Sequence, residues 1–302
     1  RFVDNSATGH TLTLNGLPAV TSFGPFLSSA VYDPAVNGAS AYFDGTDRLT
    51  ASANADFAMG TGVFTISAWV YQTEQSASSS DLVICSLRTS GSSSTGFIFN
   101  INPQSATSGR LNIYTSGSST YGTSNAVKVN QWNHLVLVRD ASNVIRSYVN
   151  GVPATMRTSS NNFTENTFQS GAESGIYSSN EIEGYITDLR ILKGTALYGS
   201  SAFTPPTAPL TAITNTKLLL NMANGQAIDS AAQNNLTLYG TAKTSTAQKK
   251  FGTASLLLDG NSDYAEFPHS LSNDIAGAGN WTVELFFRIA DRTVYQQLAG
   301  KG

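Results

Sequence analysis

The sequence predicts an all-β protein, and three observations carry this prediction. No window sustains the apolar period of about 3.6 residues that an amphipathic helix needs. Short runs rich in β-branched and aromatic residues recur instead between clusters of Gly, Ser, Asn and Asp. Within one such run, Phe97, Phe99 and Ile101 alternate with polar neighbours, as in a strand with one buried face. Asn150-Gly151, directly after the run 145–149, is typical of a tight hairpin turn.

Length and charge limit what the chain can be. Its 302 residues favour one large or two medium domains. Charged residues make up 12% of the chain and the net charge is -3, so the protein offers no basic field to a nucleic acid. The longest apolar runs, such as 135–138 and 218–220, are far shorter than the roughly 20 residues that span a bilayer. We therefore expect neither a nucleic-acid partner nor a membrane span.

An internal repeat organises the chain. The alternating block 64–70 recurs as 281–287, and its residues Ile66, Ala68 and Val70 correspond to Val283, Leu285 and Phe287. Two further matches lie upstream in the same order, Ala41-Tyr-Phe-Asp-Gly45 with Leu256-Leu-Leu-Asp-Gly260 and Val3-Asp-Asn-Ser6 with Ile228-Asp-Ser-Ala231. Three blocks in the same order at nearly constant offset predict two tandem copies, here called copy one and copy two.

The repeat also predicts domain boundaries. Copy one spans residues 1–205, a Pro-rich connector spans 206–216, and the first part of copy two spans 217–302. The apolar run Lys217-Leu-Leu-Leu-Asn-Met222 precedes the first matched block of copy two and has no counterpart in copy one. We therefore expect copy one to lack its opening strand and the chain to be a window on a longer array.

Several motifs resemble those of a known family. Gln131-Trp-Asn-His-Leu-Val-Leu-Val-Arg139, Tyr148-Val-Asn-Gly151 and Gly184-Tyr-Ile-Thr-Asp-Leu-Arg-Ile191 resemble successive strands of laminin G-like, concanavalin A-like lectin/glucanase domains, and Phe43-Asp-Gly45 is similar to an early strand of that family. The resemblance implies an antiparallel two-sheet jelly-roll sandwich, here in tandem, that binds carbohydrate or protein. The segment 193–206 resembles versions found in bacteriophage tail, fibre and other virion proteins.

Catalytic residues are hard to find in the sequence. A glycosidase needs two carboxylates across the scissile bond, and the best close pair is Glu181 and Glu183, yet the family's pattern Glu-x-Asp-x-x-Glu is absent. The three His residues lack zinc spacing, and His134 is expected to be a satisfied core or edge residue. Trp132 is predicted to be a core aromatic, and Cys85 a small buried thiol. The chain is therefore expected not to be an enzyme.

Metal and sugar binding leave weaker signals in a sequence than catalytic motifs do. Asp44 and Asp188 are candidate ligands for a structural calcium ion, because the family places their strands near each other, and Asp259 repeats the first. The alternative is that Asp44-Gly45 and Asp259-Gly260 start turns. Apart from Ca2+ no cofactor is expected. A bound sugar would stack on loop aromatics, for which the candidates are Tyr114, Tyr121, Tyr177 and Tyr198.

The functional prediction is a non-catalytic structural or adhesive module of a virion (phage tail, fibre or decoration) or of a cell-surface assembly. Its expected partners are virion or surface-assembly proteins, cell-surface glycans, or both, and it is expected to be part of a homo-oligomer at the virion or extracellular surface. The alternative is a carbohydrate-binding module of a secreted glycan-active enzyme. A third hypothesis, a glycosidase in its own right, requires a carboxylate pair across a cleft.

Overall fold

The computed structural model describes residues 2–26, 34–73, 81–89, 94–173, 181–222, 237–245, 247–250, 255–266, 282–289 and 297–300. In this part of the chain the helices are one turn each, α1 at Pro34–Asn37 and a 3-10 turn at Ala55–Phe57. The strands are β1 Leu12–Asn15, β2 Ala19–Thr21, β3 Ser40–Asp44, β4 Arg48–Ala51, β5 Phe64–Gln72, β6 Leu82–Leu87, β7 Phe97–Ser105, β8 Ser108–Thr115, β9 Ser118–Tyr121, β10 Val127–Lys128, β11 Trp132–Arg139, β12 Val144–Val149, β13 Val152–Thr158, β14 Phe168–Ser170, β15 Glu183–Lys193, β16 Thr216–Leu220, β17 Thr237–Tyr239, β18 Lys243–Ser245, β19 Ser255–Leu257 and β20 Tyr264–Glu266. No described helix is long and apolar enough to cross a membrane.

Two eight-stranded antiparallel sheets form a sandwich. Sheet A has the order β1-β4-β14-β6-β7-β8-β10, with β9 also paired to β8. Sheet B has the order β13-β12-β11-β5-β15-β3-β2, with β16 also paired to β15. The predicted all-β, two-sheet jelly-roll class is therefore confirmed. The many neighbours that are distant in sequence, such as β5 beside both β11 and β15, are what a jelly roll requires.

The core lies between the sheets and follows the predicted alternation. In β5, Phe64, Ile66, Ala68 and Val70 are fully buried, because alternate side chains of a strand point to the same face. In sheet A, Phe97, Phe99 and Ile101 of β7 face them from the other layer. Burial of such side chains contributes about 1.5–3 kcal/mol each, which makes this layer the main source of stability.

The outer face of sheet B is also covered, and this corrects the prediction for Trp132. In β11 the side chains in the main core are Leu135 and Leu137, whereas Val136 and Val138 form a second cluster with Tyr148, Tyr198 and Phe203. Trp132 shares the outward face and is half-buried against Phe23 and Tyr71, with ring centroids 5.4 and 5.7 Å away. Both faces of β11 are apolar: one packs against the main core, and the other packs against Tyr148, Tyr198 and Phe203. Alternation alone therefore did not show which face of β11 meets sheet A.

Two local predictions hold. Asn150 and Gly151 have φ angles of 51° and 82° and join β12 to β13 at the pair Val149–Val152, as a tight primed turn requires. Cys85 is a buried free thiol, and burial raises its pKa. No strand lies from 194 to 215, a range that includes all of the predicted connector 206–216 except Thr216, and Phe203, before the connector, packs on Tyr148.

Strand β16 lies elsewhere than the repeat predicted. Residues 217–222 were expected to open copy two, but β16 pairs with β15 from Leu189–Leu220 to Leu192–Thr216. Leu218, Leu219, Leu220 and Met222 are all buried, and three of them belong to the main core of the first sandwich. Burial of four large apolar side chains explains why the strand joins the nearest available core.

Candidate functional site

A cluster of amide side chains stands on the outward face of sheet A. Strands β7 and β8 turn Phe99 and Ile113 inward, so Asn100 and Asn112 point outward at directly paired positions. Asn102 pairs in the same way with Arg110. Together with Asp81, which directly precedes β6, these residues are here called the amide cluster: Asp81, Asn100, Asn102, Arg110 and Asn112.

The carboxylate of Asp81 organises the amide cluster. Its Oδ2 accepts hydrogen bonds from Nδ2 of Asn100 at 3.0 Å and of Asn112 at 2.7 Å, and its Oδ1 accepts from Nδ2 of Asn102 at 2.7 Å. Arg110 Nε donates to Oδ1 of Asn102 at 3.0 Å. Three side chains from two strands are therefore held directly by one carboxyl group, and Arg110 is held through Asn102.

One hydrogen-bond acceptor of the amide cluster has no donor in the described part of the chain. Asn100 is 1% exposed, and its Oδ1 has no hydrogen-bond partner within the described part of the chain. Asn112, also buried, is satisfied, because its Oδ1 accepts from the backbone N of Thr120 at 3.0 Å. A buried polar atom without a partner costs about 1–3 kcal/mol, so Asn100 is kept at this position at some cost in stability.

Tyr121 supplies an aromatic surface at the edge of the amide cluster. Its ring lies 3.5 Å from the guanidinium carbon of Arg110 and the residue remains 38% exposed. Asp81, Asn102 and Arg110 are half-buried members of the cluster, so near this exposed ring they can hydrogen-bond hydroxyls while the ring stacks on an apolar face. That combination suits a polyhydroxylated ligand such as a sugar.

The other predicted tyrosines are engaged elsewhere. Tyr198 stacks on Phe203 with centroids 3.7 Å apart and belongs to the cover of sheet B. Tyr114 is half-buried beneath the guanidinium of Arg88 at 4.9 Å. Tyr177 lies outside the described residues. Of the four candidates, Tyr121 is the one that stands beside the amide cluster.

The structure does not bring Asp44 and Asp188 together. Their strands β3 and β15 are neighbours, but Asp44 is opposite Glu183. Asp188 is five residues further along β15, or about 16 Å at the usual rise of a strand. Since calcium ligands lie about 2.3–2.6 Å from the ion, one ion cannot contact both carboxylates. Calcium binding at either residue alone stays a prediction.

Each of these two aspartates has a structural partner. Asp44 Oδ1 accepts from the backbone N and Oγ1 of Thr46, both at 2.8 Å, as a turn starter does, and the hydrogen bond from the Thr46 side chain lowers the pKa of Asp44. Asp188 accepts from the backbone N of Leu210 at 3.1 Å, and burial raises its pKa to about 7. No group of three or more His, Cys, Asp or Glu side chains in the described ranges is placed to hold a metal ion.

Glu181 and Glu183 lie at an acidic corner beside the start of β15. Burial, followed by the charge of Asp44, raises the pKa of Glu181. Burial and the charges of Glu183, Asp44 and Asp47 raise the pKa of Tyr42. Both glutamates are half-buried. The corner therefore concentrates negative charge on the outer face of sheet B, away from the amide cluster on sheet A.

Other buried ionisable groups form ion pairs, hydrogen bonds or packing contacts that stabilise the fold. Glu173 forms a fully buried ion pair with Arg88 at 2.7 Å, and Asp4 accepts backbone hydrogen bonds. His134 is buried between Trp69 and Phe203, and this burial, followed by the charge of Arg190, lowers its pKa to about 3. It is therefore neutral at physiological pH. It is a core residue as predicted, but it is not fully satisfied, because its buried Nδ1 has no hydrogen-bond partner within the described residues.

The amide cluster was missed from sequence, although a signal was present. Asn is depleted in strand interiors, yet Asn100, Asn102 and Asn112 occupy outward positions of two runs whose inward residues are apolar. Repeated Asn at such positions indicates a functional or networked face. Nothing in the sequence pointed to Asp81 as part of this cluster, since its hydrogen-bond partners are 19–31 residues away along the chain.

The sandwich and its polar outer face define a lectin-like β-sandwich protein. Residues 30–197 match the family Laminin_G_3, described as the concanavalin A-like lectin/glucanases superfamily. The match covers more than half of the chain, and the chain belongs to this family. No curated protein matches the sequence.

Several solved structures are similar. Domain 4 of AbnA, a GH43 extracellular arabinanase from Geobacillus stearothermophilus, in complex with arabinotriose, is 16% identical with a TM-score of 0.45, over 68% of this chain and 97% of that one. The enzymatically active domain of bacteriophage CBA120 tailspike protein 2 is 10% identical with a TM-score of 0.46, over 70% of this chain and 34% of that one. The heptameric SAP-like pentraxin of Limulus polyphemus is 14% identical with a TM-score of 0.37, over 62% and 78%.

Proposed function

We propose that this chain is a non-catalytic glycan-binding module of a virion or cell-surface assembly, and that the amide cluster with Tyr121 is its binding surface. The observation that carries the proposal is the convergence of three asparagines on Asp81 beside an exposed tyrosine ring. Membership of a lectin/glucanase superfamily supports the choice of carbohydrate as ligand. An extracellular or virion location follows from that ligand class.

The non-catalytic part of the proposal rests on the carboxylates. Glycosidases need one carboxylic acid and one carboxylate on opposite sides of the scissile bond. Both oxygens of Asp81, at the amide cluster, already accept hydrogen bonds from three asparagine side chains. Glu181 and Glu183 lie on the other sheet. We therefore expect no release of reducing sugar from any glycan that the chain binds, and no change in this result for Glu181→Gln or Glu183→Gln.

The binding surface is tested with a matched pair of variants. Tyr121→Ala removes the exposed ring on sheet A, and Tyr42→Ala removes a half-buried ring on sheet B. On a glycan array, the 302-residue chain should retain a set of glycans that Tyr121→Ala binds about tenfold more weakly or worse, while Tyr42→Ala binds them normally. Equal loss in both variants, or no glycan bound by the parent chain, would contradict the proposal.

The alternative role, a carbohydrate-binding module of a secreted enzyme, uses the same surface and differs in what is attached to it. Repetition distinguishes the two roles, because tandem copies raise avidity by about two to four orders of magnitude without new contacts. A longer array should bind a glycan-coated surface far more tightly than one copy does, as an adhesive assembly requires. Equal binding by both would favour the single-module role.

A further inference from the structure

Several polar side chains are buried together on the outer face of sheet B. Ser67 and Arg190 occupy directly paired positions of β5 and β15, and Trp69 and His134 occupy directly paired positions of β5 and β11. Directly opposite side chains in a sheet have Cβ atoms about 4.5–5.5 Å apart, and Trp69 lies two residues after Ser67 on the same face of β5. These four residues, Ser67, Trp69, His134 and Arg190, are here called the polar patch.

A strap formed by residues 195–210 passes over this face of sheet B. The ring of Phe203 in the strap stands edge-on against His134, with centroids 5.8 Å apart. At the other end of the strap, the backbone N of Leu210 donates to the carboxyl group of Asp188 at 3.1 Å. Beneath the strap, Arg190 is only 4% exposed. The polar patch is therefore an interior site between a sheet and its cover.

The polar patch contains hydrogen-bond donors that no protein group accepts. Within the described residues, Nε of Arg190, Nε1 of Trp69, Oγ of Ser67 and Nδ1 of His134 are buried without a hydrogen-bond partner. The first three atoms each carry a hydrogen that they can donate. An unpaired buried polar group costs about 1–3 kcal/mol. Because the four atoms belong to neighbouring positions of the sheet, one shared acceptor that is not part of the chain can satisfy several of them.

The charge of the polar patch determines which acceptor suits it. The guanidinium of Arg190 keeps its charge, and it forms no ion pair with another residue in the described part of the chain. Burial raises the pKa of the neighbouring Asp188 to about 7, and burial, followed by the charge of Arg190, lowers the pKa of His134 to about 3. At pH 6 the site therefore has one positive charge with little compensation. A water molecule cannot neutralise that charge, whereas an anion can.

We propose that the polar patch binds one compact monovalent anion of the size of chloride, held by the N–H groups of Arg190 and Trp69 and the hydroxyl of Ser67. A spherical ion accepts hydrogen bonds from donors on several strands, whereas a carboxylate is best matched by two parallel donors. The site lies on sheet B, so the proposal is independent of glycan binding at the amide cluster on sheet A. An anion that binds only the folded chain stabilises it, and this one also fixes the strap to the sheet.

The test compares the 302-residue chain with Arg190→Met and with Arg157→Met, a matched control on the edge strand β13. Each protein is titrated with chloride at pH 6 and constant ionic strength, with methanesulfonate as the replacing anion. Binding is measured by the line width of chlorine NMR, and stability by the thermal midpoint. The parent and Arg157→Met should show saturable binding and a midpoint that rises with chloride, whereas Arg190→Met should bind at least about tenfold more weakly. Without chloride, Arg190→Met should be at least as stable as the parent, because it removes an unpaired buried charge.

A milder variant covers the case in which Arg190→Met does not fold. Trp69→Phe keeps an aromatic ring at this position and removes the indole N–H, so it should weaken chloride binding several-fold. In crystals soaked in bromide, the anomalous signal should lie between Arg190 and Trp69. The same chloride response in Arg190→Met or Trp69→Phe as in the parent would overturn the proposal. The absence of saturable chloride binding to the parent would overturn it too, and would mean that water satisfies these donors.

Discussion

Copy one and copy two carry the same alternating strand motif in different surroundings. In copy one, Ile66 and Val70 of β5 are fully buried, because β5 pairs with β11 on one side and β15 on the other. In copy two, residues 282–289 form no strand, and Val283 and Phe287 are 57% and 60% exposed. The prediction that the two blocks occupy equivalent strands of two sandwiches stays a prediction, because the described residues of copy two include too little of the chain around the second block. An alternating pattern becomes a strand only where neighbours accept its hydrogen bonds.

A corner made by a glycine and an aspartate lies upstream of the alternating block, and it is alike in both copies. In copy one, Oδ1 of Asp47 accepts the backbone N of Leu17 at 2.6 Å, directly after Gly16. In copy two, Oδ1 of Asp263 accepts the backbone N of Thr241 at 2.5 Å, directly after Gly240. A Cβ on either glycine would lie 2.2 Å from that carboxylate oxygen, which explains glycine at both places.

The early strand pairs are repeated too. The pairs β1–β4 and β2–β3 of copy one have counterparts in β17–β20 and β18–β19 of copy two. The most distant of these pairs is Leu12 with Ala51, 39 residues apart, whereas the nearest pair between β5 and β11 is Tyr71 with Trp132, 61 residues apart. The comparison teaches that the repeat encodes its local turns fully in each copy, while the sandwich needs strands that come later in the repeat.

The largest expected difference concerns the shared strand motif. Ile66→Ala should lower the free energy of unfolding by about 2–5 kcal/mol, because it leaves a cavity between the sheets. Val283→Ala, at the matched position, should change it by less than about 0.5 kcal/mol. Chemical denaturation of the two variants measures both. Similar losses would mean that copy two has a core of its own.

A smaller difference is expected at the shared corner. Asp47→Ala should cost about 1–3 kcal/mol, because it removes the acceptor of the Leu17 N–H in a site where Asp47 is 1% exposed. Asp263→Ala removes the same contact from an exposed corner and should leave the unfolding midpoint of the chain unchanged. If Asp263→Ala were as destabilising as Asp47→Ala, the corner of copy two would be part of the cooperative fold.

A third expected difference is a pH dependence that belongs to copy one. His134 has a pKa of about 3 in the folded protein against about 6.5 when unfolded. The unfolded chain therefore binds the extra proton first. The stabilisation by neutral His134 is present above about pH 6.5 and is lost as pH falls toward 3, by up to about 1.4 kcal/mol per pH unit.

His134→Leu removes this dependence and tests it. Stability curves from pH 4 to 7 should be less steep for the variant than for the parent. Asp188, whose pKa is raised to about 7, acts in the opposite direction but is present in both proteins, so it cancels in the difference. Parallel curves would show that His134 is not buried in the neutral form.

The sequence by itself determined the class, the turns and the repeat. Alternation in 97–101 and 64–70 identified strands and their inward residues, and Asn150-Gly151 identified a hairpin, because both signals depend on neighbours within a few residues. The family resemblance of residues 131–191 identified the jelly roll. Tyr121 was one of four tyrosines in polar segments that were candidates for stacking on a sugar, and the sequence alone did not distinguish among them.

Tertiary structure decided which strands are neighbours, and therefore which side chains form the amide cluster. The amide cluster forms because β6, β7 and β8 are adjacent, which brings Asp81 to Asn112 across 31 residues of sequence. Register placed Asp44 opposite Glu183 and left Asp188 five residues away, so a shared ion site could not be judged from strand identity alone. The run 217–222 was assigned to copy two by its phase in the repeat, yet it completes the first sandwich. Hydrophobic burial is non-directional, and it favours the core that is available in space whatever the order of the sequence.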